Sequence, residues 1–161
     1  VHLEHLHLLL LIIVANGAPI VMWVLLGNRL KTAIDFGYVF VDGHPLFGKS
    51  KTWRGVVGAV LFTGVGAVIL GYSLTTGVLV ALYTMAGDLV SSFTKRRLGM
   101  APSSMAPLID QVPETLLPAV MLRQTFNLEM HSILILVGAF IIVELALSVV
   151  LYRLGIRNRP Y

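Results

Sequence analysis

The chain has 161 residues, 57% hydrophobic and 12% charged, with a mean hydropathy of +0.86 and a formal net charge of +4. A soluble domain carries roughly 25% charged residues, so this composition excludes a soluble enzyme and describes an integral membrane protein, helical because lipid cannot satisfy an open backbone. The cations flank apolar stretches instead of forming one basic face, which argues against nucleic acid, and the absence of cysteine removes disulfides, thiolate nucleophiles and thiolate metal sites.

Length predicts a single domain over residues 1–161. In Val1 to Leu26, Glu4 and the histidines His2, His5 and His7 precede a nearly uncharged run from Leu8, about as long as a bilayer requires. This is expected to be a first span and not a cleaved signal, since no basic segment precedes it and no polar mature domain follows. The histidines are read as interfacial. Pro19 cannot donate to the carbonyl of Ala15, so a kink is expected near Asn16 and Gly17.

Gly27 to Trp53 is a mixed loop long enough to fold over a site. Within it, Gly43 to Ser50 matches the P-loop expression G-x-x-x-x-G-K-[ST]. A P-loop needs a buried parallel strand and a soluble α/β core, which this chain is too hydrophobic to supply. What remains is physical: Gly43 and Gly48 free the backbone to approach an anion, and Lys49, Lys51, Thr52 and Arg54 supply donors.

A second span is expected over Arg54 to Gly71, where Gly55, Ala59, Thr63, Ala67 and Gly71 form a stripe of small residues that admits a neighbouring helix. A third follows the turn Tyr72 to Gly77 and runs from Val78 to about Phe93. On this helix Asp88, Ser91, Ser92 and Lys95 share one face, and an ionisable group near the end of a span is a functional candidate. Thr94 to Ala106 is a loop. Pro107 to Phe126 contains Asp110, Pro113, Glu114 and Pro118, and reads as a short or broken span whose polar end meets the site. Ile133 to Leu151 is a fifth span, with Glu144 facing a polar bundle interior.

The expected fold is therefore all-α, with about five transmembrane helices and two cytoplasmic loops forming a polar active site at the inner membrane face. Arg29, Lys31, Lys49, Lys51 and Arg54 mark the first loop, Lys95, Arg96 and Arg97 the third, and Arg153, Arg157 and Arg159 the tail. The positive-inside rule places both loops and the C-terminus in the cytoplasm and the N-terminus outside.

These loops unite the ingredients of phosphate chemistry. Asp88 and Asp110 can hold a hard cation, Mg²⁺ most naturally, through oxygens shared with substrate phosphates. Basic groups clamp the remaining charge, and phosphoryl or nucleotidyl transfer needs no protein nucleophile beyond that.

Ser92-Phe93-x-Lys95-Arg96, followed by Pro107-Leu108-Ile109-Asp110-Gln111, resembles the signature of the membrane CTP:phosphatidate cytidylyltransferases. Asn16-x-x-Pro19, Asp42-Gly43, Lys51-Thr52-Trp53-Arg54-Gly55 and Gly87-Asp88 are similar to the archaeal branch of that family, the CDP-archaeol synthases. Where the bacterial enzymes have His-Gly-Gly and Asp-Arg-x-Asp, this chain has Ala106-Pro107-Leu108 and Asp110-Gln111-Val112-Pro113, without the second aspartate. The resemblance implies that the phosphate of an isoprenoid ether lipid, 2,3-di-O-geranylgeranylglycerol 1-phosphate, attacks the α-phosphate of CTP. It implies Asp88 and Asp110 as Mg²⁺ ligands, with Lys95 beside them, and Lys49, Lys51, Arg54, Lys95, Arg96 and Arg97 as phosphate-binding groups assisted by Thr52 and Ser92. Asn16 and Asp42 carry over from the motifs. Two rival readings use the same features: a phospho-sugar transferase acting on polyprenyl phosphates, and an anion transporter, which would carry charges along several spans and a repeated half.

Overall fold

The structure, a computed structural model, describes residues 2–104 and 106–155. Its helices are α1 (Leu3–Leu26), α2 (Trp53–Ile69), α3 (Leu74–Arg97), α4 (Gln111–Met121) and α5 (Met130–Arg153). Among the described residues there is no strand, only the isolated bridges Ala33 to Thr52 and Val39 to Pro45 within the first loop. The tail cations Arg157 and Arg159 lie outside the described residues.

Three helices, α1, α3 and α5, are long and apolar enough to cross a membrane. Each has 24 residues, which at about 1.5 Å per residue spans a hydrocarbon core of about 30 Å. The apolar α2 has 17 residues. The segment read as a broken span contains the 11-residue α4, preceded by turns over 107–110; at about 16 Å it reaches only about halfway across. Pro113 falls in its first turn, where a missing N–H costs little, and Pro118 removes a bond near its end. Helix α1 continues through Pro19 up to Leu26.

α2 packs against α1 and α3, and α4 lies against α3 and α5. The small-residue stripe is the seam: Gly55, Ala59, Thr63 and Ala67 are all buried on α2. A Cβ at Gly77 would stand 2.7 Å from the Cα of Gly64 and the carbonyl of Thr63, so α2 and α3 meet backbone to backbone. Gly71 lies past the helix, with φ +86°, and serves the turn instead.

The buried apolar side chains collect toward one end. Leu8, Leu11 and Ile12 of α1 pack with Val80, Ala119, Phe126, Ile133, Leu136 and Phe140. Toward the other end only the small cluster Ala18, Ala59, Ala81 and Met85 remains. There the C-terminal half of α3, the start of α4 and the first loop bring polar groups together.

Candidate active site

Three local devices build this end. Residues 32–34 of the first loop run antiparallel to 51–53, with Ile34 N–H donating to Lys51 O at 2.8 Å and Trp53 N–H to Thr32 O at 3.1 Å. That fixes the backbone of Lys51. Thr52 is the N-cap of α2, its hydroxyl accepting from Gly55 N–H. On the far side, Gly87 lets α4 touch α3: a Cβ there would stand 2.7 Å from the Cα of Glu114 and closer still to the carbonyl of Pro113.

Lys51 and Asp88, distant in sequence, meet as a result. Lys51 Nζ donates to Asp88 Oδ1 at 2.5 Å, with 22% and 17% of the two side chains exposed. Burial by itself would lower the pKa of Lys51. The charge and hydrogen bond of Asp88 outweigh it, with Glu114 and Asp110 adding to the effect, and the ammonium titrates above the usual lysine range. The pair walls a cavity of about 170 Å³ that is also lined by Asn16, Thr52, Glu114 and Glu144. Asn16 Nδ2 is buried there without a hydrogen-bond partner.

A second ion pair stands on the same end. Lys95 Nζ lies 2.6 Å from Asp110 Oδ1 and donates to Ser104 O at 2.9 Å, while Asp110 Oδ2 accepts Ala106 N–H at 2.9 Å. Lys95 and Asp110 are both buried. Although Asp88 and Lys95 share a helix face, Asp88 takes its cation from the first loop and Lys95 its anion from the turn before α4. Each partner comes from another element because Lys95 lies two turns further along α3, within reach of Ser104 and Asp110.

The remaining predicted residues are spread around this pair of ion pairs. Arg97 Nε is 2.6 Å from Asp42 Oδ2, its Nη2 donates to Pro45 O at 2.7 Å, and its guanidinium lies over the rings of Phe40 and Phe93. It straps the first loop onto α3. Arg54 Nη1 donates to the carbonyls of Gly27 and Arg29 at 2.7 and 2.6 Å, holding the turn after α1. Arg96 Nη2 donates to Ala101 O at 2.9 Å. Ser92 is buried within α3, and Lys49 is exposed.

In the glycine-containing loop the backbone N–H groups of Phe47 and Gly48 are taken by the chain's own carboxylate, Asp35. Asp35 Oδ2 accepts from Phe47 and Gly48 N–H, both at 2.9 Å, and Oδ1 from Gly37 N–H at 3.0 Å. Gly43 and Gly48 adopt φ of +79° and +98°, as the turn requires. Burial would raise the Asp35 pKa, but the N–H groups of Gly48, Phe47 and Gly37 more than offset it and hold the carboxyl below its usual range. Asp35 carries no motif, and Glu114 and Glu144, which line the cavity, were not among the predicted ligands or phosphate-binding residues. Their signal was present: each is a carboxylate within an otherwise apolar stretch.

The family model described as "CarS-like: CDP-archaeol synthase" matches residues 1–161. A CDP-archaeol synthase of Staphylothermus marinus is 29% identical over 92% of this chain and 86% of its own length. One from Saccharolobus islandicus is 32% identical over 92% of this chain and 89% of its own. A solved structure, described as an intramembrane enzyme for archaeal membrane lipid biosynthesis, superposes with a TM-score of 0.71 at 29% identity, covering 89% of this chain and 91% of that one.

Proposed function

This chain belongs to the CarS-like family of CDP-archaeol synthases, and on that premise we propose that it transfers CMP from CTP to the phosphate of 2,3-di-O-geranylgeranylglycerol 1-phosphate. A lipid phosphate oxygen forms the new bond to the α-phosphorus of CTP, the bond from that phosphorus to the bridging oxygen breaks, and pyrophosphate leaves. The observation that carries the reading is the cavity walled by Lys51 and Asp88 at the end of the bundle where both basic loops gather.

The donor set suits a hard divalent cation, since it offers carboxylates and a carboxamide and no thiolate. Asp88 from this lining, with Asp110 from the neighbouring ion pair, would hold it, Mg²⁺ being the natural choice. Among the described residues no group of three or more histidines and carboxylates is gathered closely enough to cage an ion, so substrate phosphates would complete the shell. When bound, the ion supplies charge neutralisation at the transferring phosphate.

Each proposed ligand carboxylate is now held by one ammonium, Asp88 by Lys51 and Asp110 by Lys95. Substrate binding exchanges partners: both lysines turn from carboxylate to phosphate without losing an ionic neighbour. Lys49 meets phosphate from the rim. Arg54, Arg96, Arg97 and Asp42 hold the loops in place, and the arginines add positive potential. Thr52, Ser92 and Asn16 offer hydrogen bonds from the cavity wall and the adjacent helix. The lipid tails remain in the bilayer beside the spans, and CTP enters from the cytoplasm.

The test is pyrophosphate release by purified protein in detergent, with CTP and a panel of lipid phosphates. Release with CTP and the ether-lipid phosphate, but not with a UDP-sugar, is the expected result. Turnover with the UDP-sugar alone would sink the assignment. Tags inserted after Gly43 and at Thr75 should report from opposite faces, the first from the cytoplasm.

A further inference from the structure

Glu144 is the one carboxylate in α5, a helix whose apolar window has a mean hydropathy of 2.9. Such a residue in a span needs a partner. Its Oε2 accepts a hydrogen bond from Gln111 Nε2, and its side chain lines the same cavity as Asn16, Lys51 and Asp88. Gln111 is fully buried, and both ends of its carboxamide are used: its Oε1 accepts Leu108 N–H at 2.7 Å. Leu108 adopts φ +70°, a left-handed conformation that a branched side chain holds only under constraint.

Between Leu108 and Gln111 lies Asp110. The turn that carries it is closed by Asp110 N–H to Ala106 O and Val112 N–H to Leu108 O, each at 3.0 Å. Glu144 thus fixes the carboxamide that fixes the turn that presents Asp110 to Lys95. We propose that Glu144 is a positioning residue of the cytidylyl-transfer site, acting through Gln111 on the turn that precedes α4 and carries Asp110; the assignment rests on the function proposed above. The hydrogen bond, and not the charge, is what the turn requires, because the Gln111 amide needs only an acceptor oxygen.

The consequence is a split in the kinetics. Groups proposed to clamp CTP stand on the first loop and α3, whereas Glu144 governs the turn before α4. Glu144→Leu should lower kcat by at least about tenfold while KM for CTP stays within about twofold. Glu144→Gln keeps an acceptor and should restore kcat to within about threefold of the wild type. Since Glu144→Leu orphans a buried donor at a cost to folding, the double change Gln111→Met/Glu144→Met removes both polar ends of that pair and leaves the Leu108 N–H to solvent; it should still melt cooperatively and show the low kcat.

Three results would overturn the proposal: wild-type kcat in the folded double variant, a Glu144→Gln loss as deep as that of Glu144→Leu, or a raised KM for CTP with kcat unchanged. Hydrogen exchange supplies a readout that needs no turnover. The Asp110 and Val112 amides should exchange at least about tenfold faster in the double variant and at the wild-type rate in Glu144→Gln; unchanged exchange in the double variant also overturns it. Wild-type protein that releases no pyrophosphate from CTP would refute the cytidylyl-transfer reading, and the exchange result would still decide whether Glu144 sets the turn.

Discussion

Where α1 begins, polar side chains meet in exposed or part-buried pairs: His7 Nδ1 with the Tyr72 hydroxyl at 3.1 Å, Asn127 with Glu4 at 2.7 Å, and His131 with Glu129, 69% and 78% exposed. Where α1 ends, lysines and aspartates pair mostly out of water, Lys95 and Asp110 with 8% and 11% of their side chains exposed. The first arrangement costs little. The second takes ions out of water at several kcal/mol each, and a well-packed apolar replacement would often be no less stable. A bundle that needed only stability would have filled the second end as it filled the first, with leucine and phenylalanine. The contrast is the one expected if the buried charges serve the chemistry proposed above.

The largest effect that can break this contrast comes from Asp88. Asp88→Asn should reduce turnover by at least about 100-fold, the order seen when charge stabilisation at a transferring group is removed, while the protein still melts cooperatively in detergent. Because the partner is Lys51, the informative double variant is Asp88→Asn/Lys51→Met. Were the pair only structural, that double change would restore activity together with stability; recovery of turnover would remove Asp88 from the site.

Gly87 comes next, since it sets how closely α4 approaches α3. Gly87→Val drives a side chain into the backbone of Pro113 and Glu114, where neither atom is the free end of a flexible group. Overpacking of this kind costs about 1–3 kcal/mol, and separating α4 from α3 should lower kcat by about tenfold or more. A variant with wild-type melting and turnover would show that the α3–α4 contact does not position the site.

Much of this arrangement was legible in the sequence, and the reasons for the rest are physical. Helix positions follow from uninterrupted apolar runs, and the seam of α2 from its four-residue spacing. Asp88, Lys51 and Asp110 stood out as charges at the edges of such runs. Pairing was not legible: periodicity puts Asp88 and Lys95 on one face, but which cation reaches which carboxylate depends on a loop closed by Asp35. That closure uses backbone N–H groups, which leave no mark in side-chain pattern. The extent of α4 was hidden likewise, because two prolines permit either a broken span or a short helix, and the backbone contact at Gly87 decides.

Asp35 offers a milder test with a definite sign. Its folded pKa is depressed, so its contribution to stability is present above the unfolded value near 3.9 and is lost as pH falls through the folded value. Melting of the wild type in detergent should therefore fall along an acid limb below about pH 4 that Asp35→Asn lacks. At neutral pH the variant should raise KM for CTP a few-fold, roughly the loss of one ordered loop contact. An identical acid limb in both proteins would show that the loop is held by other means.

The smallest effect belongs to the opposite end, and it bears on the contrast most directly. His7→Phe removes the hydrogen bond to Tyr72 while keeping a ring beside it, where the two rings now stand edge to face at 5.7 Å between centroids. A net hydrogen bond is worth about 0.5–1.5 kcal/mol, so the melting temperature should fall by a few degrees at most. Neither kcat nor KM for CTP should move, because the apolar cluster around Leu11 and Phe140 separates this residue from the cavity. A change in kcat at constant melting temperature would mean that the two ends are coupled through that core, and the division between a structural end and a chemical end would not hold.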